Sequence, residues 1–82
     1  MKVTHEMRIA GKCPVNEGHD TYDLIVSALH IVKVEDILAA VDALAQPAFQ
    51  EDITVALSAA LPRCQITTIG HHSGVKTTCI VG

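Results

Sequence analysis

A thiol and a carboxylate stand seven positions apart in Cys13-Pro14-Val15-Asn16-Glu17-Gly18-His19-Asp20. Cysteine attacks electrophiles as its thiolate, and an aspartic acid within reach can supply or take a proton. The proline, asparagine and glycine between them are turn formers. The pair therefore sits on a loop, and loops on a rigid scaffold are where chemistry is usually carried. Taken alone, the same residues also describe an ordinary turn with a structural cysteine at one end. Glu51 opens an apolar-periodic stretch, where an acid favours the helix dipole. His71 and His72 lie between two glycines in what reads as a polar hairpin turn; each could act as acid, base or ligand near neutral pH. His5 and His30 fall within strand patterns, and Cys64 and Cys79 read as small apolar core residues.

Length and composition narrow the setting. Residues 1–82 suit one small domain, about half the length of a typical catalytic domain. With one Phe, one Tyr and no Trp, the core must come from Ile, Val, Leu and Ala. A chain of this size buries only about 60–65% of its unfolded surface, so burial between subunits is expected to supplement that core. The formal net charge is -3 and no Lys/Arg cluster occurs. That excludes a strong electrostatic footprint for nucleic acid on one domain, but not an RNA substrate held by an oligomer. Three cysteines without Cys-x-x-Cys spacing indicate neither a zinc ribbon nor a redox pair. No apolar run is long enough for a signal peptide or a membrane span, and a reduced, cytoplasmic protein is the expectation.

The loop needs elements to hold it. Residues 2–12 alternate strictly, with Val3, His5, Met7 and Ile9 on one face. Residues 21–32 form the second strand, with Tyr22, Leu24 and Val26 on one face and a bulge near Ser27-Ala28. From Val34 the period becomes helical: Val34, Ile37, Leu38, Val41, Leu44 and Ala45 recur on one side. Pro47 ends that helix. Residues 49–61 form a second helix with Ile53, Ala56, Leu57, Ala60 and Leu61 inward, closed by Pro62. Residues 64–69 and 75–81 are the last strands, joined by a turn over residues 70–74. The order is ββααββ, an α+β two-layer unit with an antiparallel four-stranded sheet and both helices on one face. Its exposed edges would be removed by joining copies into a closed barrel, so a homo-oligomeric ring is expected.

This order resembles the tunnelling fold of purine- and pterin-acting enzymes. The Cys13-to-Asp20 stretch resembles the Cys-Pro-x-Thr-Gly-x-x-Asp loop of the QueF family, the 7-cyano-7-deazaguanine reductases, with Asn16 and Glu17 in place of Thr-Gly. Phe49-Gln50-Glu51-Asp52 is similar to that family's Phe-His-Glu-Asp helix start, and with Thr54 it also resembles the Gln-Glu-x-x-Thr pattern of GTP cyclohydrolases. His72-Ser73-Gly74-Val75 sits where the reductases carry Arg-Gly-Gly-Ile. The Glu-Ser-Lys-Ser-x-Lys motif that the reductases use for NADPH has no counterpart in Val34-Glu35-Asp36-Ile37-Leu38. No cofactor is therefore assigned, and hydride transfer from NADPH is doubtful. The QueF-like archaeosine amidinotransferases also lack that motif; they add ammonia to the nitrile of a deazaguanine base already in tRNA.

The resemblance implies a cysteine thioimide route. Cys13 would attack a nitrile carbon and Asp20 would protonate the nitrogen. Glu51 would accept two parallel N–H bonds from the guanine-type edge of a base bound between subunits, with Gln50, His71 and His72 also at the substrate. The partners would be a small heterocycle or a modified tRNA, and copies of the chain itself. Two other readings stay open. One is a metal-dependent pterin or purine cyclohydrolase, with His71 and His72 joining Cys13 as ligands; His19 lies near Cys13, but Cys64 is not at that family's position. The other is a non-catalytic ligand-binding or assembly protein of the same fold.

Overall fold

Along the first strand the side chains alternate between two environments. In β1 (Val3–Lys12), Ile9 and Gly11 are buried while Thr4, Glu6, Arg8 and Ala10 are exposed. β2 (His19–Ala28) buries Tyr22, Leu24, Val26 and Ala28 in the same rhythm. The two pair antiparallel from Val3 opposite Ala28 to Lys12 opposite His19. α1 (Val34–Asp42) and α2 (Gln50–Ala60) follow, then β3 (Gln65–His72) and β4 (Val75–Val81). The sheet runs β1-β2-β3-β4, with every neighbouring pair antiparallel. The computed structural model that shows this describes residues 1–15 and 18–82. Asn16 and Glu17 lie outside the described residues.

Both helices cover one face of the sheet. Ile9, Tyr22, Leu24, Val26 and Ile66 from that face meet Ile37 and Ala40 of α1 and Ile53 and Leu57 of α2 in one cluster. Burying one such aliphatic side chain contributes about 1.5–3 kcal/mol. The opposite face carries an exposed Arg8–Asp23 pair at 3.4 Å; exposed pairs of this kind contribute about 0–1 kcal/mol. Among the described residues no helix is long and apolar enough to cross a membrane.

Three elements end elsewhere than the residue pattern implies. β2 stops at Ala28 rather than near Val32. Val3 is the last β1 partner and Ser27 the last residue paired with β3, so the next residues have no ladder to join. Leu29 and Ile31 are each 80% exposed. α1 ends at Asp42, well before Pro47, and packs through a narrow stripe. Ile37 and Ala40 are buried, whereas Val34, Leu38 and Ala45, expected inward, are exposed. In α2, Ala56 and Ala60 are likewise exposed, and Gln50 and Thr54 are buried instead.

The third difference reshapes the candidate site. β3 continues to His72, which pairs with Val75. The connection is a two-residue turn with Ser73 at φ 51° and Gly74 at φ 82°. Positive φ at both centres is the hairpin form whose twist matches the flanking strands. Gly70 is thus a strand residue, and its missing side chain has another use. A Cβ there would stand 2.5 Å from Tyr22 Cδ1 and 3.0 Å from Gln50 Oε1; at Gly11 it would stand 2.5 Å from Tyr22 Cε2. The two glycines make the slot that the Tyr22 ring fills. Gly70→Ala should therefore cost about 1–3 kcal/mol by overpacking, read as a lower urea midpoint; an unchanged midpoint would contradict this packing.

Candidate functional site

Gln50 is the first residue of α2 and is 2% exposed. Its Nε2 donates to the Thr68 carbonyl at 3.1 Å, to Thr68 Oγ1 at 3.2 Å and to the Thr77 carbonyl at 3.0 Å. Carbonyls only accept, so the amide nitrogen must point inward and the oxygen outward. Thr54 Oγ1 donates to the Gln50 carbonyl at 2.8 Å and lies 2.7 Å from Thr68 Oγ1. With Thr54's one hydrogen spent, Thr68 donates to Thr54 and keeps a lone pair for Gln50. The start of α2 is thereby bound to β3 and β4.

The outward Gln50 Oε1 lies 2.9 Å from His72 Nε2. An amide oxygen cannot donate, so His72 carries its hydrogen on Nε2. Its other nitrogen, Nδ1, stands 4.0 Å from Asp20 Oδ2. Tyr22 donates a long hydrogen bond, 3.5 Å, to the same carboxylate oxygen, and its ring lies 5.9 Å from the His72 ring, centre to centre. Burial pushes the Tyr22 phenol up to about 12; Asp20, Cys13, the Asp20 hydrogen bond and Glu51 all add in the same direction.

Backbone bonds bring the loop and the helix start together. The Lys12 N–H donates to Gln46 Oε1 at 3.0 Å, and the Lys12 carbonyl accepts from the Ala48 N–H at 3.1 Å. These tie the connection between the helices to the edge of β1, just before the loop. The Cys13 N–H donates to the Gly18 carbonyl at 2.9 Å and closes the loop base. Cys13, Glu51 and His72 consequently line one cleft of about 220 Å³, together with Pro14, Tyr22, Ala48, Phe49, Gln50 and Thr77. Hollows of about 480 and 540 Å³ border Arg63 and Cys64. They are larger, but among the described residues no comparable hydrogen-bonded set of polar groups surrounds them, so volume does not select the site.

Of the residues singled out in the sequence, Cys13, Glu51, Gln50 and His72 meet at this cleft. Asp20 stands behind it, reached through Tyr22 and His72. His71 does not join them. With β3 extended, successive side chains point to opposite faces, and His71, paired with Lys76, lies exposed on the face away from the helices. Gln50 spends its amide nitrogen on the strands and its oxygen on His72. Tyr22 and Phe49 are the cleft residues whose role the strand and helix patterns do not reveal. The signal for Tyr22 is glycine inside strand patterns, which marks a close approach. Cys64, expected as a small core residue and not at the cyclohydrolases' ligand position, precedes Gln65, whose partner is Ser27, whereas Cys13 follows Lys12, whose partner is His19; they stand at opposite ends of the sheet. Burial pushes the Cys64 thiol up, with Arg63 pulling the other way. Among the described residues no group of three or more His, Cys, Asp and Glu side chains is placed to hold a metal ion.

The chain has the ββααββ tunnelling fold, with a cleft of about 220 Å³ beside the first hairpin loop. Among solved structures, the crystal structure of the archaeosine synthase QueF-Like in the apo form matches with a TM-score of 0.82 at 18% identity, over 98% of this chain and 90% of that one. The likeness is one of fold, and it spans nearly the full length of both chains. No family model and no curated protein matches the chain.

Tyr22 offers a direct check, because it is the chain's single tyrosine. The folded protein should ionise near pH 12, and the unfolded chain near 10.0. Between those values the unfolded state binds fewer protons. The phenol's contribution to stability is therefore whole below pH 10 and is lost as the pH climbs through about 12. A spectrophotometric titration of the folded protein centred near 10 would contradict the slot.

Proposed function

We propose that this chain is a QueF-like enzyme acting on a nitrile-bearing 7-deazaguanine or related purine-type base. The observation that carries the proposal is the meeting of Cys13 and Glu51 at one cleft in a chain with the fold of an archaeosine synthase. Glu51 accepts two N–H bonds from the guanine-type edge of the base; a charge-assisted bidentate pair both holds and orients. Phe49, half exposed at the cleft, offers an apolar face for the flat ring. The nitrile then points at Cys13. The sulfur–carbon bond forms, one C≡N π bond breaks, and the nitrogen takes a proton from the Asp20 side of the cleft, leaving a covalent thioimide.

The fate of the thioimide follows from what the chain lacks. Without the lysine-rich motif between β2 and α1 there is no evident binding set for NADPH, so hydride transfer is disfavoured. Attack by ammonia expels the thiol and leaves an amidine. The base is either free or already part of a tRNA; in the second case the ring of copies supplies the surface that holds the RNA. Such a ring pairs the β1 edge of one copy with the β4 edge of the next, which removes both open edges.

Incubation with 7-cyano-7-deazaguanine should add the mass of the base to the protein and leave Cys13→Ala unmodified. Glu51→Gln should weaken binding of the base by roughly 10–100-fold, the worth of hydrogen bonds to a charged group. An unmodified wild-type protein at saturating base sinks the proposal. Sedimentation at micromolar concentration should show a multiple of 8.7 kDa; the single-chain mass would overturn the ring.

A further inference from the structure

We propose that His72 holds, at Nδ1 opposite Asp20, the proton that the nitrile nitrogen takes as Cys13 adds to the carbon; this rests on the nitrile reading above. His72 lines the cleft with Cys13 and Asp20 does not, so the group that meets a bound nitrile is the imidazole. Gln50 Oε1 occupies Nε2 at 2.9 Å and fixes a hydrogen there in the neutral ring. The bare nitrogen is then Nδ1, 4.0 Å from Asp20 Oδ2. The carboxylate is thus the group that Nδ1 faces across the site.

The groups that face this proton site come from several elements. Asp20 and Tyr22 belong to β2, Gln50 and Glu51 to the start of α2, and Cys13 to the loop. The Tyr22 hydroxyl bonds the same Asp20 oxygen at 3.5 Å and helps keep that carboxylate turned toward His72. A separation of 4.0 Å is too long for a direct hydrogen bond. The carboxylate therefore faces Nδ1 without a direct bond to it, and the substrate nitrogen approaches His72 from the cleft that His72 lines.

The steps balance without an outside reagent. Cys13 gives its proton to Nδ1, and the thiolate adds to the nitrile carbon. The broken π pair becomes a nitrogen lone pair and takes the Nδ1 proton. The product is a neutral thioimide, and His72 returns to the Nε2–H form that Gln50 already supports. Nothing is oxidised or reduced.

The test measures the rate of adduct formation with 7-cyano-7-deazaguanine on the unsubstituted protein and on His72→Ala, with and without added imidazole. Loss of a positioned proton carrier should slow the addition about 100-fold, while binding of 7-deazaguanine, which has no nitrile, falls far less. Imidazole should restore much of the rate, which only a folded cleft permits; His72→Gln, which fills the space without carrying a proton, should stay slow. Nitrogen NMR of the neutral ring should place the hydrogen on Nε2. Addition at an unchanged rate in His72→Ala, or a hydrogen on Nδ1, overturns the inference alone. No adduct on the unsubstituted protein overturns the nitrile reading and this inference with it.

Discussion

The Gln50 side-chain amide must satisfy two strand carbonyls and a threonine hydroxyl with a single nitrogen, and it must do so out of water. A buried acceptor left unpaired costs about 1–3 kcal/mol. With two carbonyls to serve, the amide cannot turn over or withdraw without losing more than one bond. That requirement fixes the first turn of α2 against β3 and β4. It also decides which end of the amide faces the cleft, and so which nitrogen of His72 carries a hydrogen. A buried amide thus sets the tautomer of the imidazole beside it.

The same constraint explains why the cleft sits where it does. Gly11 and Gly70 leave a slot for the Tyr22 ring, and Gly70 also admits the Gln50 oxygen. From that slot the Tyr22 hydroxyl reaches Asp20, which places the carboxylate behind His72 rather than in the open cleft. On the other side, Lys12 of β1 binds Gln46 and Ala48 through its backbone. Those bonds deliver Phe49 and Glu51 beside Cys13, which is far from them in sequence and near them in space. The network of α2, β3 and β4 and the tether of β1 therefore converge on one small volume from different sides.

Much of the fold was legible in the residue pattern, for identifiable reasons. Strict alternation in β1 and the change to helical spacing at Val34 are local signals, and they gave the element order. The ends of elements were less legible because they are set by partners. β2 stops where β1 and β3 stop pairing with it, which no residue of β2 announces. The stretch from Gly70 to Gly74 looked like a turn because glycine usually marks one. Only the tertiary position of Tyr22 shows that Gly70 is a packing glycine. That one difference separates His71 from His72, since neighbours in a strand face opposite ways. Cys13 and Glu51 were paired by resemblance, and both line one cleft of the chain. The part played by Gln50 was not legible, because a buried amide at a helix start leaves no periodic trace. Glutamine where the QueF reductases carry histidine reads in sequence as a missing group; in the structure an imidazole stands against that glutamine from β3.

The central claim is that Cys13, Glu51 and His72 of one chain face a single bound base. A crystal structure of the protein soaked with 7-cyano-7-deazaguanine tests it most directly. The account predicts continuous density from Cys13 Sγ to the former nitrile carbon, both Glu51 oxygens on the guanine-type edge, and the new N–H beside His72 Nδ1. A base bound elsewhere, or one seated in the cleft with its nitrile turned away from Cys13, would contradict it.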